Sequence, residues 1–138
     1  LLDEAIKISR KVGMPFVGPR LLGTLAVCTD DKFTRKDALT EGFDILRDGC
    51  HAHNQLWFLR DAIEASLHTN DSTAVLQYAN HLELITTREP LAWATYFIER
   101  ARAIIGSRTE PTSSDNIKEL VRLENIAKKV GFANTTMH

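Results

Sequence analysis

Residues 54–82 read NQLWFLRDAIEASLHTNDSTAVLQYANHL, and the fold is decided here. Leu56, Leu59, Ile63 and Leu67 recur at helical spacing and stop at Thr69-Asn70-Asp71. Val75, Ala79 and Leu82 then resume the same period, with Tyr78 and Ile85 beside them. Asn54 suits the cap of the first helix and Asp71 or Ser72 the cap of the second, because a short side-chain oxygen can accept from the unpaired amides of a first turn. The stretch therefore predicts two helices, about 54–68 and 72–87, folded back on each other across a short turn.

Working outward, the same punctuation repeats. Ala5, Ile8 and Val12 mark a helix over 2–13 that stops at Gly13, after which Met14-Pro15 turns the chain. A helix over 16–29 carries Leu21, Leu22, Leu25 and Ala26, with Pro19 placed in its first turn. Thr34 caps a third helix over 34–48, with Leu39, Phe43 and Leu46 on its stripe and Gly49 after it. Pro90 opens a sixth, in which Leu91, Ala94, Ile98, Ala101 and Ile105 recur before Gly106. After a loop at 107–113, Ser114 or Asp115 caps a seventh carrying Ile117, Leu120, Ala127 and Val130 up to Gly131. Residues 132–138 read as a frayed tail or the beginning of a next, truncated helix. No strand survives, since runs such as Leu25 to Cys28 sit inside helical patterns.

Composition narrows the function classes. A chain of 138 residues and 15.5 kDa can bury about two-thirds of its surface, leaving roughly 7,200 Å² exposed against about 22,500 Å² unfolded, so it needs no disulfide or metal to hold a core. It is 43% hydrophobic and 25% charged, which excludes disorder. Seventeen basic and eighteen acidic side chains are spread along the chain without a polybasic arm or acidic tail, so neither nucleic acid nor an anionic membrane is an expected partner. No apolar run approaches a membrane span, and two cysteines are too few for a disulfide framework. No secretory leader pattern is present, so a cytoplasmic setting is expected. The chain opens on Leu1-Leu2-Asp3-Glu4, which reads as a piece of something longer.

Faint internal repetition supplies the architecture. Thr29-Asp30-Asp31 and Thr69-Asn70-Asp71 punctuate the chain 40 residues apart, and Ile8 to Met14 echoes Ile126 to Phe132. Alternate helices start near 16, 54 and 90, a spacing close to that of tetratricopeptide repeats. Leu22-Gly23 followed by Ala38, and Ala74 followed by Tyr78, look like degenerate tetratricopeptide positions where small residues let two helices cross closely. The expected fold is all-α: a tetratricopeptide-like α-solenoid of about seven helices in a right-handed superhelix, one domain over 1–131. Its antiparallel hairpins fall at about 16–48, 54–87 and 90–131. A cut solenoid leaves apolar helix faces exposed at its ends, which keeps homo-oligomerisation open.

A more particular resemblance covers residues 18–105. It rests on Gly-Pro-Arg-Leu-Leu-Gly-Thr-Leu-Ala-Val-Cys-Thr-Asp-Asp at 18–31, Ala-Leu-Thr-Glu-Gly at 38–42, and Gly-Cys-His-Ala-His-Asn-Gln-Leu-Trp-Phe-Leu-Arg-Asp-Ala-Ile-Glu at 49–64. These are similar to the C-terminal helical-repeat region of large bacterial signalling proteins that join a class III adenylate or guanylate cyclase domain to an AAA-type ATPase domain. The resemblance implies a regulatory, non-catalytic segment and carries over no catalytic residue. No Walker-type phosphate loop occurs in the chain.

Three constellations carry chemistry. Cys50-His51-Ala52-His53 has ligand types for zinc or copper, but only His68 and His81 could complete a set, and the plainer reading makes these turn residues with His53 or Asn54 as a helix cap. Cys50, His53 and Asp61 have the types of a nucleophile, base and orienting acid without any oxyanion-hole motif. No catalytic residue, metal or cofactor is therefore assigned. Trp57, Arg60, Asp61, Glu64 and His68 share a face of the fourth helix, and Trp93, Tyr96 and Arg100 follow similar spacing on the sixth. Trp57, Arg60, Glu64, Trp93, Tyr96 and Arg100 are the candidate binding residues of a concave groove, where aromatic and Arg side chains anchor a peptide or a neighbouring domain. The expected function is a protein–protein or interdomain interaction module of a bacterial signalling protein. The alternative is a small-ligand sensory domain with a pocket between hairpins.

Overall fold

A computed structural model describes residues 1–132, which form seven α-helices and no strand: α1 Leu2–Val12, α2 Met14–Cys28, α3 Lys32–Asp48, α4 Ala52–His68, α5 Ser72–Thr86, α6 Ala92–Thr109 and α7 Ser114–Val130. Each helix packs on the next in sequence, and α4 also packs on both α2 and α6. The contacts fix directions. Phe16 meets Asn54, Thr24 meets Asp61, Trp57 meets Trp93 and Glu64 meets Arg100, so α2, α4 and α6 run parallel to one another. Phe58 against Tyr78, with Ser66 beside Asp71, makes α5 antiparallel to α4. Glu99 paired with Arg122, and Gly106 beside Asn116, does the same for α7 and α6.

Because α4 has neighbours on several sides, it is buried nearly all round. Phe58, Leu59, Ala62 and Ile63 are fully enclosed. Close approach depends on small residues: a Cβ on Gly42 of α3 would lie 2.1 Å from the Phe58 ring, and one on Gly23 of α2 would lie 3.3 Å from the Phe58 Cα. Leu22, Ala26, Ala38 and Ala65 form a second apolar cluster between α2, α3 and α4.

The ends of helices depart from the expected caps. Asp31, not Thr34, caps α3, its Oδ2 accepting from the Thr34 amide at 2.7 Å; a cap lies three residues before the amide it serves. Asp71 caps α5 through the Ala74 amide at 3.0 Å, and Ser113, one residue before the expected Ser114, caps α7. Neither His53 nor Asn54 caps α4; His51 holds that position without a side-chain bond, and Asn54 is buried, its amide donating to the Phe16 carbonyl. Met14-Pro15 is no separate turn, because Gly13 at φ 126° ends α1 and starts α2 on its own, and Pro19 lies inside α2 rather than in its first turn. Gly106 does not stop α6, which runs on to Thr109 with the Asn116 side chain of α7 against it.

Two stripes also shift. In α1 the buried residues are Ile6 and Ser9, whereas Ile8 and Val12 face solvent. In α7 Leu123 and Ala127 are buried, while Ile117, Val121 and Val130 are exposed. Both terminal helices thus present apolar side chains outward. Phe132, assigned to the tail, instead packs on Tyr96 and Phe97 at 5.2 and 6.0 Å between ring centroids; the rest of that tail lies outside the described residues. No helix among the described residues is long and apolar enough to cross a membrane.

Candidate functional site

The parallel run of α2, α4 and α6 brings one aromatic and cationic cluster together. The half-buried Trp57 ring of α4 stacks on Trp93 of α6, with centroids 5.7 Å apart and planes inclined by 17°. Two guanidinium groups lie over the same indole, Arg20 of α2 at 5.3 Å and Arg60 at 4.9 Å from its centroid. Behind Trp93 the edge of Phe97 packs at 5.9 Å. The exposed Phe16, one turn before Arg20, extends the aromatic surface toward His51, with ring centroids 5.6 Å apart.

Arg60 is held in place from below. Its Nε donates to Asp61 Oδ1 at 2.9 Å, and Nη2 contacts the same oxygen. Asp61 is only 4% exposed and takes a further bond from the Thr24 hydroxyl of α2 at 3.4 Å. Burial pushes its carboxyl above the usual carboxylate range, opposed by the charge and hydrogen bonds of Arg60 and, more weakly, by Thr24 and Arg20. A Cβ on Gly23 would stand 3.0 Å from the Asp61 Cβ, so this glycine makes room for the buried acid.

The six expected binding residues divide. Trp57, Arg60 and Trp93 stand together, half-buried. Tyr96 and Arg100, at 4% and 3% exposure, are not presented on an open groove. Tyr96 packs edge-on against Phe97 at 5.3 Å, and Arg100 donates to Glu64 at 2.5 Å, an enclosed ion pair tying α6 to α4. The cause is width: on α6 the buried arc takes in Phe97, Ile98, Ala101, Ile104 and Ile105 as well as Ala94, so residues one and two turns after Trp93 fall within it. Arg20 was missed by inspection of α4 and α6 alone. The repeat spacing could have found it, since Arg20, Trp57 and Trp93 stand 37 and 36 residues apart.

Elsewhere, Cys50 lies beside His51 and His53, whose rings are 6.1 Å apart, and burial raises the Cys50 thiol above its ordinary value. Among the described residues no group of three or more His, Cys, Asp or Glu is placed to hold a metal ion. A pocket of about 450 Å³ opens between the start of α3, the end of α4 and the start of α5. Comparison with known proteins yields no matching family model, no matching curated protein and no matching solved structure.

Proposed function

We propose that the chain is a non-catalytic interaction module: a tetratricopeptide-like α-solenoid over 1–131, with hairpins at about 16–48, 54–87 and 90–131 in a right-handed superhelix. It docks a protein partner or another domain of its own chain. The observation that carries this reading is the register between alternate helices. Contacts between α2 and α4 and between α4 and α6 join residues 36 to 38 apart, the interval at which the sequence repeats. Equivalent side chains on successive hairpins then fall side by side, and those on one face are Arg20, Trp57 and Trp93, with Arg60. Trp and Arg are the residue types that concentrate binding energy at interfaces. Asp61 fixes Arg60 before a partner arrives, so less side-chain freedom is lost on binding. With the resemblance of residues 18–105, this fits a regulatory segment of a bacterial signalling protein whose cyclase or ATPase chemistry lies elsewhere.

The test is site-specific photo-cross-linking of the full-length protein in its own host. A photoreactive residue at His53, exposed one turn before Trp57, is expected to give a discrete protein or intramolecular adduct that Trp57→Ala abolishes. The same residue at the exposed Leu84 of α5 is expected to give none. Equal yields from both positions, or an adduct indifferent to Trp57, would contradict the reading. A second reading, a small-ligand domain, is favoured by the pocket between the start of α3, the end of α4 and the start of α5.

A further inference from the structure

The pocket beside α3 is built from two halves of different character. One half is cationic. Lys32, Arg35 and Lys36 begin α3, and no acidic side chain occupies its first turn. Cations at the positive end of a helix are opposed by its dipole, an effect that the acidic N-cap Asp31 offsets here. Arg35 has a separate task, donating from Nε to the Ala26 carbonyl at 3.0 Å and from Nη2 to the Thr29 carbonyl, where it closes the end of α2. Lys32 and Lys36 form no ion pair among the described residues; Lys32 rests 5.3 Å from the ring of the exposed Phe33.

The other half carries the hydroxyls of two largely buried residues. Ser66 is 2% and Tyr78 9% exposed, both form part of the pocket wall, and neither side chain makes a hydrogen bond to another described residue. Neither hydroxyl oxygen is among the side-chain polar atoms sealed from solvent without a partner, so each reaches the open volume of the pocket, where water or a ligand can bond it. Of the other polar groups in the lining, the Thr69 hydroxyl bonds the Ala65 and Ser66 carbonyls, and Asp71, the one carboxylate there, takes the Ala74 amide while its charge acts on Tyr78. Leu39, Ala74 and Phe33 supply an apolar lining, and the volume falls in the range of small-molecule sites.

We propose that this pocket binds a small amphiphilic anion, a carboxylate or phosphate monoester carried on an apolar or aromatic body. Lys32 and Lys36 meet the charge, Ser66 and Tyr78 donate to its oxygens, and Phe33 and Leu39 cover the body. The inference rests on the second reading above and is independent of the Trp57 face.

Titrating the full chain with phenyl phosphate, followed by backbone amide NMR, tests it. Saturable shifts are expected around residues 32–40 and 66–78, with a dissociation constant of about 1 mM or tighter. Lys32→Gln with Lys36→Gln is expected to weaken binding about tenfold, and phenol, which lacks the anion, to bind at least about tenfold more weakly than phenyl phosphate. Both lysines are exposed, so the fold is kept, and Lys128→Gln with Lys129→Gln on α7 is the charge-matched control expected to change nothing. Phenol binding as well as phenyl phosphate, or a Lys32 and Lys36 variant indistinguishable from the control, would overturn the anion assignment and leave the pocket. Absence of saturable shifts in these segments would overturn the pocket as well.

Discussion

Asp61 sits at the crossing of α2 and α4, where it orders Arg60 against Trp57 but bears the cost of a buried charge. Its pKa is raised on folding, so the folded state holds the proton more tightly than the unfolded one. Its contribution to stability therefore grows as pH falls through that raised value, and at neutral pH the ionised carboxylate opposes folding. Asp31, Glu83 and Glu119 have the opposite sign. The Thr34 amide, Arg102 and Arg122 respectively hold them below their ordinary values, and what they contribute is present above the unfolded pKa and lost on acidification. Asp61→Asn is expected to leave stability unchanged or raised at about pH 7, the advantage shrinking toward about pH 4, as read from urea midpoints at both pH values. An advantage that grows on acidification would contradict the assignment. Glycines give a second contrast at this scale. Gly42→Ala drives a methyl into the enclosed Phe58 ring and is expected to cost about 1–3 kcal/mol. Gly18→Ala meets the flexible Met14 Cε at 2.6 Å and also its Cβ at 3.2 Å, and is expected to stay within about 1 kcal/mol of the parent, the helix preference of alanine offsetting the crowding. Thermal or denaturant unfolding of the two variants decides between these outcomes.

For single helices, burial separates residues that sequence alone treats alike. Leu123 of α7 is fully enclosed and Val121 exposed, although both belong to apolar positions of one helix. Leu123→Ala is expected to cost about 2–5 kcal/mol, and Val121→Ala to stay within about 0.5 kcal/mol of the parent in a denaturant titration. Helix existence was legible because each helix carries a periodic apolar stripe and a polar or glycine break. The breaks at Thr69-Asn70-Asp71 and Gly49 fall where the chain turns. What was not legible is which side of a wide apolar stripe faces a neighbour. Ile8 and Val12 repeat at helical spacing as well as Ile6 and Ser9 do, and only the position of α2 chooses between them. Gly106 carries the local signal of a stop, yet α6 stays helical for three more residues, and the glycine instead makes room for the Asn116 side chain of α7.

Across the whole molecule, register matters more than any one side chain. Because α2, α4 and α6 are parallel and offset by 36 to 38 residues, a residue type placed once per interval becomes a row on one face. Trp57, Arg60 and Trp93 were readable from their spacing within helices. Arg20 needed the interval between helices, and the enclosure of Tyr96 and Arg100 needed the packing of α6 against α4 and α7. The pocket beside α3 carried no sequence signal, since Lys32, Lys36, Ser66 and Tyr78 are remote in the chain and ordinary in type. We propose the Arg20, Trp57 and Trp93 row as the docking face. Its most direct measurement is the dissociation constant of the partner or domain cross-linked from position 53, for the parent chain and for Trp57→Ala of matched melting temperature. A weakening of about thirtyfold or more is expected, equivalent to about 2 kcal/mol at a central anchor. An unchanged dissociation constant with the fold intact would contradict it.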